Sequence, residues 1–342
     1  MRQAVMTAPG RIEFRDVPQP TCGPDQVLVR VKRIGVCGSD VHVYHGKHPF
    51  TRYPVVQGHE FSGQVVEVGS AVGDPALRLG VKVTSQPQIT CGRCRPCRTG
   101  RYHICDELRV MGFQAPGAAQ ELFAVPADTV IPLPDTFSYD EGALMEPAAV
   151  GVHATRRAQI ERGFRVVVVG AGPIGMMVAL AAKARGASQV LVSEISPGRR
   201  VIASRLGVDH VVDPAVQPLR EATRQCFGEP PDVIIECVGS EASLSAAMEA
   251  AAKGIRLVAV GVYPDRPRMD MSRVVDWELD LVGSMMYQRD DWLQAVTWVR
   301  DGHMRVAGLV THHFPFGEFL EAYRWIDRHA AEGMKVMMDL DP

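Results

Sequence analysis

The sequence predicts an α/β chain in two parts: a β-rich, barrel-like body, then a doubly wound parallel sheet. Three observations predict it. Short apolar segments separated by Gly and Pro fill roughly the first 130 residues, as in all-β bodies. From Arg165 onward, strand-like and helix-like segments alternate, which argues a parallel sheet covered by helices on both faces. The length of 342 residues suits about two domains. The division falls at 150/151, with 1–150 completed by 290–342 and with 151–289 as the second domain.

In order, Val27-Leu-Val-Arg-Val-Lys alternates apolar and basic residues, the period of a half-buried strand. Further strands are expected at Val65–Val68 and Lys82–Thr84, between turns at Gly69, Gly73 and Gly80. Residues 140–162 read as helical. The alternation then runs through strands at Arg165–Val169, Gln189–Ser193, Val233–Glu236, Arg256–Val260 and Leu279–Gly283. Helices are expected between them at Ile174–Arg185, Gly198–Leu206 and Ser243–Ala252. Two amphipathic helices, Trp292–Arg300 and Glu318–Arg328, and a last strand, Lys335–Asp339, form a tail expected to return to the first domain.

Hydrophobic residues make up 46% and charged residues 22%, ordinary for a globular enzyme, and the net charge of −2 gives no basic footprint for nucleic acid. No apolar signal core follows Met1. The apolar run Val166–Ala182 is broken by Gly170, Gly172, Pro173 and Gly175, so it reads as strand, turn and helix rather than a membrane span. Of the eight cysteines, four lie between 91 and 105, a metal-ligand pattern of a reducing compartment. A cytoplasmic protein is expected, with Cys22, Cys226 and Cys237 as free thiols in or near the core.

Cys37, His59 and Glu60 offer the donors of a catalytic zinc with one position open. Cys91, Cys94, Cys97 and Cys105 offer four thiolates, as a structural zinc or an iron–sulfur cluster requires. Arg93, Arg95, Arg98 and Arg101 are interleaved with them and can offset their charge. Gly170-Ala-Gly172-Pro173-Ile174-Gly175 follows a strand and opens a helix, the context of a dinucleotide fingerprint. Glu194 ends the next strand, where a carboxylate accepts from ribose hydroxyls and favours NAD over NADP. Val260, Val262, Met285 and Met286 end later strands and are candidate neighbours of the nicotinamide.

Gly58-His59-Glu60 with Gly63 and Gly69 resembles the zinc signature of the zinc-dependent medium-chain dehydrogenase/reductase family. Val36-Cys37-Gly38-Ser39-Asp40-Val41-His42 is similar to the first-ligand segment of its sorbitol and threonine dehydrogenase branch. The resemblance covers essentially the whole chain. It implies a GroES-like catalytic domain, a Rossmann NAD domain, and two zincs: one catalytic on Cys37, His59 and Glu60, one structural on the four cysteines. It implies a proton relay through Ser39 and His42, and an arginine, Arg199, beside the adenosine. It leaves Glu146 as a zinc ligand, a neighbour of the zinc, or a substrate contact. With Cys37 and Glu60 as its anionic ligands, the zinc cluster is expected to be neutral and to become +1 when Glu60 is displaced.

The reaction expected from the resemblance is hydride transfer from a secondary alcohol to NAD. The substrate expected is a polyol or a sugar acid such as L-galactonate or L-idonate, with Lys47, His48 or Arg52 able to meet a carboxylate. Val43 stands where many sorbitol dehydrogenases carry tyrosine. The alternatives are an L-threonine 3-dehydrogenase-like enzyme and a family member that binds nucleotide without activity. The family is usually dimeric or tetrameric, so a homo-oligomer is expected, with no membrane or nucleic-acid partner.

Overall fold

The computed structural model describes residues 1–340. The chain packs as two units, Met1–Glu146 with the residues from Val310 onward, and Pro147–Leu309.

In the first unit the long strand Gln26–Gly35 lies between its partners. The strand order in its sheet is Val310–Pro315, Lys335–Asp339, Gln26–Gly35, Glu60–Val68, Lys82–Ser85, Val130–Pro132, with Leu122–Pro126 also pairing Gln26–Gly35. All of these pairings are antiparallel except the first, which is parallel. Val27, Val29, Val31 and Ile34 are buried with Phe61, Val65, Val83 and Phe123. Each such side chain contributes about 1.5–3 kcal/mol by leaving water. The register pairs Gly35 with Glu60. A Cβ on Gly35 would lie 2.3 Å from Glu60 Oε2, so the glycine makes room for that carboxylate.

The second unit holds a fully parallel sheet in the order His210–Val212, Gln189–Ser193, Arg165–Val169, Val233–Glu236, Arg256–Ala259, Asp280–Gly283. Val166, Val167 and Val168 are wholly buried, as expected of a strand covered on both faces. The strand order reverses between Arg165–Val169 and Val233–Glu236, the place where doubly wound sheets bind ligands at their carboxyl ends.

The helix Arg289–Arg300 packs in this second unit, not in the tail as the sequence division had it. Trp292, Ala295 and Val299 are buried. Asp291 accepts from Arg156 Nε at 2.8 Å and from the Gln288 N–H at 2.8 Å, and meets His153 Nδ1 at 2.8 Å. His153 and Arg156 stand on the helix Tyr139–Arg157, so these bonds tie the two helices together.

Burial pushes the Asp291 carboxyl up, but His153, Arg156 and the Gln288 N–H outweigh it and hold it at about 2. A depressed folded value stabilises above the ordinary 3.8 and is lost as pH falls toward 2. The contribution at neutral pH is about 2 kcal/mol. Asp291→Asn should therefore lower the melting temperature at pH 7 and flatten its fall on acidification; an unchanged acid limb would refute this.

Among the described residues, no helix is long and apolar enough to cross a membrane. The run Val166–Ala182 is the strand Arg165–Val169 and part of the helix Pro173–Ala184.

Candidate active site

Cys37 ends an extended segment and caps the helix Gly38–Tyr44; Asp40, three residues on, accepts from the Cys37 N–H at 3.0 Å. His59 and Glu60 stand at the head of the strand Glu60–Val68. One donor atom from each of Cys37, His59 and Glu60 lies within 4.8 Å of the other two, a spacing that one ion can bridge. His59 and Glu60 are buried, and Cys37 is half-buried.

The donor set asks for a cation. His59 Nδ1 is buried without a full hydrogen bond, 3.5 Å from Asp40 Oδ1. Burial pulls the His59 imidazole down, but Asp40 and Cys37 outweigh it and hold it well above the ordinary histidine value. A metal held by Cys37, His59 and Glu60 would supply that positive charge instead, with Asp40 orienting the ring.

Three braces of this site escaped the sequence reading. Gln57 Nε2 donates to Asp40 Oδ1 at 3.3 Å, and Tyr323 OH donates to Gln57 Oε1 at 2.8 Å. Lys335 Nζ donates to Glu60 at 2.6 and 2.8 Å. Burial lowers the Lys335 ammonium, but Glu60 and Cys37 outweigh it and raise it. The one signal in the sequence was a lysine heading the otherwise apolar strand Lys335-Val-Met-Met.

Ser39 and His42 stand three residues apart on the helix Gly38–Tyr44, so they share a face; Ser39 is half-buried and His42 exposed. Glu146 is buried and near enough to act electrostatically on Lys335, but it lies outside the Cys37–His59–Glu60 group. His48 stacks on Phe113 at 4.7 Å and accepts from or donates to Thr51 at 2.8 Å; Phe113 in turn leans on His59 at 4.8 Å. Lys47 and Arg52 are exposed.

The four sulfurs of Cys91, Cys94, Cys97 and Cys105 also lie within 4.8 Å of one another. N–H groups of Cys94, Cys91 and Glu107 point at sulfurs of this lobe at 3.3–3.4 Å. N–H groups of Cys94 and Arg93 lower the Cys91 thiol to about 7, while burial and the neighbouring thiols push Cys97 up to about 12, so the lobe favours a thiolate at Cys91 and not at Cys97. Arg93 pairs with Glu107 at 2.8 Å, so its charge is shared with that carboxylate.

In the second unit each glycine of the turn has its own reason. Gly170 has φ +97°, and a Cβ there would lie 2.6 Å from Val238 Cγ2. A Cβ on Gly175 would lie 1.9 Å from the Gly170 carbonyl oxygen, so helix and turn touch only without a side chain. Gly172 faces open space; a Cβ there would meet only Arg199 Nη1 at 3.9 Å. That open space at the head of the helix Pro173–Ala184 could cradle a pyrophosphate.

Glu194 clamps the cradle, accepting from the Ala171 N–H and the Ser196 N–H, each at 2.7 Å. Arg200 is bound to Asp213 and to the Ile195 carbonyl. Val262 and Met285 are exposed at strand ends rather than core, and Met286 has φ +47°, a strained value that functional sites often hold. Glu236, which the sequence reading left as a strand residue, accepts from the Val238 and Gly239 N–H groups and from Tyr263 OH, and shapes the loop against Gly170.

Residues 23–135 match the model of the alcohol dehydrogenase GroES-like domain, and 173–301 that of the zinc-binding dehydrogenases. The chain is 35% identical to sorbitol dehydrogenase of Ovis aries, over 99% of this chain and 96% of that one. It is 33% identical to L-threonine 3-dehydrogenase of Rhizobium etli, over 95% and 94%. The structure of L-idonate 5-dehydrogenase from Escherichia coli superposes with a TM-score of 0.88 at 25% identity, over 99% and 98%. With a GroES-like domain, a parallel Rossmann sheet and these relatives, the chain belongs to the zinc-dependent medium-chain dehydrogenase family.

Proposed function

We propose that this enzyme oxidises a secondary alcohol of a polyol or sugar acid, with NAD as acceptor. The observation that carries the proposal is the buried group Cys37, His59 and Glu60, with donor atoms within 4.8 Å. Zinc held there would supply Lewis acidity toward the alcohol oxygen, and NAD held on the glycine cradle would supply the hydride acceptor. Cys91, Cys94, Cys97 and Cys105 hold a second, structural zinc.

The chain's own groups do the rest. Asp40 orients His59, and Ser39 takes the hydroxyl proton and passes it toward His42, which faces water. Glu146, buried and acting on Lys335, is a neighbour of the metal site. His48, stacked on Phe113, is the group of the 47–52 loop best placed to meet a hydrophilic substrate. Glu194 favours the unphosphorylated ribose of NAD, and Arg199 lies beside Gly172 at the phosphates. Gly170, Pro173, Ile174, Gly175, Val260, Val262, Met285 and Met286 complete the proposed cofactor contacts.

The test is reduction of NAD and NADP, followed by nicotinamide absorbance, across polyols, aldonates and L-threonine. NAD with a polyol or aldonate should give the highest kcat/KM. The threonine dehydrogenase relative makes L-threonine the second reading, and preference for it would replace the first. Dinucleotide binding without turnover of any alcohol would leave a binding role.

A homo-oligomer, dimer or tetramer, is part of the proposal. The strand Asp280–Gly283 ends its sheet with an open edge, and Met271 and Val275 nearby are exposed. A solution mass of 37.4 kDa would count against it. A cytoplasmic location fits eight free thiols, four of them grouped; disulfides among those four in the native protein would argue otherwise.

A further inference from the structure

Lys335 is 2% exposed and Glu60 1%, and the ammonium touches both carboxylate oxygens. Its remaining contact is the Val36 carbonyl oxygen at 3.3 Å, next to Cys37. Both partners are shut off from bulk solvent at that burial. The carboxylate thus has two claimants, the ammonium on one side and the metal site of Cys37 and His59 on the other.

We propose that Lys335 is a positioning residue that makes Glu60 a releasable metal ligand, by holding both of its oxygens against the pull of the ion. A carboxylate bound at both oxygens by a buried ammonium donates less charge to a metal than a bare one. Lys335 also changes the charge of the site. The sequence count gave a neutral cluster of dication, Cys37 and Glu60. Lys335 adds one positive charge to that sum, and Asp40 beside His59 and Glu146 acting on Lys335 add negative ones.

This inference rests on the zinc reading of Cys37, His59 and Glu60. Its test loads cobalt(II) into the full-length protein and its Lys335→Gln, Lys335→Met and Lys335→Arg variants. Gln can still donate to Glu60 and fill the site, so a role in packing alone is preserved in that variant. The visible spectrum reports the ligand set, and the rate of metal loss to a chelator reports its hold. Without the charge, Glu60 should bind the ion continuously. Lys335→Gln and Lys335→Met should then release the Cys37-site metal at least about ten-fold more slowly. Their spectra should stop responding to added imidazole, and KM for the alcohol should rise. Lys335→Arg should stay near the parent. Loss at the parent rate or faster in Lys335→Gln, with the imidazole response intact, overturns the inference. A parent cobalt spectrum indifferent to Cys37→Ala overturns the zinc reading, and this inference with it.

Discussion

Cys37→Ala and His59→Ala should each leave the protein with one zinc per chain in place of two, and reduce kcat/KM by at least about 10³-fold. The size follows from what is removed. A Lewis acid at the reacting oxygen is worth several kcal/mol of transition-state stabilisation, and each 1.36 kcal/mol is a factor of ten. The cluster has three donors, so losing one leaves two, too few to hold the ion against water. The melting temperature should move less for the half-buried Cys37 than for the buried His59, whose ring packs on Phe113. Cys94→Ala should give the opposite pattern: one zinc lost, stability lowered, and the chemistry at Cys37 intact. Metal analysis by mass spectrometry, beside melting curves and kinetics, separates the two. Retention of both zincs in Cys37→Ala would remove the basis of the proposed mechanism.

The second large effect is expected at Gly175. A Cβ 1.9 Å from the Gly170 carbonyl oxygen cannot be accommodated without moving the helix Pro173–Ala184 away from the turn. Gly175→Ala should therefore destabilise by about 1–3 kcal/mol through overpacking. A displaced cradle should also reduce kcat/KM for NAD on the order of 10²-fold. Gly172→Ala is the control, since its Cβ meets only Arg199 Nη1 at 3.9 Å. That variant should melt like the parent and lose cofactor affinity alone, because the methyl group fills the cradle. Equal melting temperatures for Gly175→Ala and the parent would contradict the packing argument.

The parts of the fold legible in the sequence were those with a repeating local signal. Val166 to Val169 announced a buried strand, and the glycines after it announced the turn. The strand His210–Val212 and the helix Leu219–Phe227 were not legible. The first has three residues, and the second buries only Leu219, Ala222 and Thr223. The helix Arg289–Arg300 was legible as a helix but not in its allegiance, which Asp291 decides through partners on a distant helix. The same holds at the metal centre. Cys37, His59 and Glu60 belong to recognisable motifs, whereas Lys335 meets Glu60 from 275 residues away and Tyr323 meets Gln57 from 266. Local patterns name the ligands; the groups that brace them are set by sheet register, which pairs Met337 with Gly35 and Gly35 with Glu60.

A brace that arrives so much later in the sequence has a consequence for biogenesis. The three donors of the cluster lie within residues 37–60, and Tyr323 and Lys335 are translated 266 and 275 residues after the Gln57 and Glu60 they brace. Until they arrive, Glu60 has no ammonium and Gln57 no phenol. An early nascent chain can collect metal but cannot finish its pocket, and long-range pairing of this kind is slow to form. Maturation of the centre is thus tied to synthesis of the chain at least as far as Lys335.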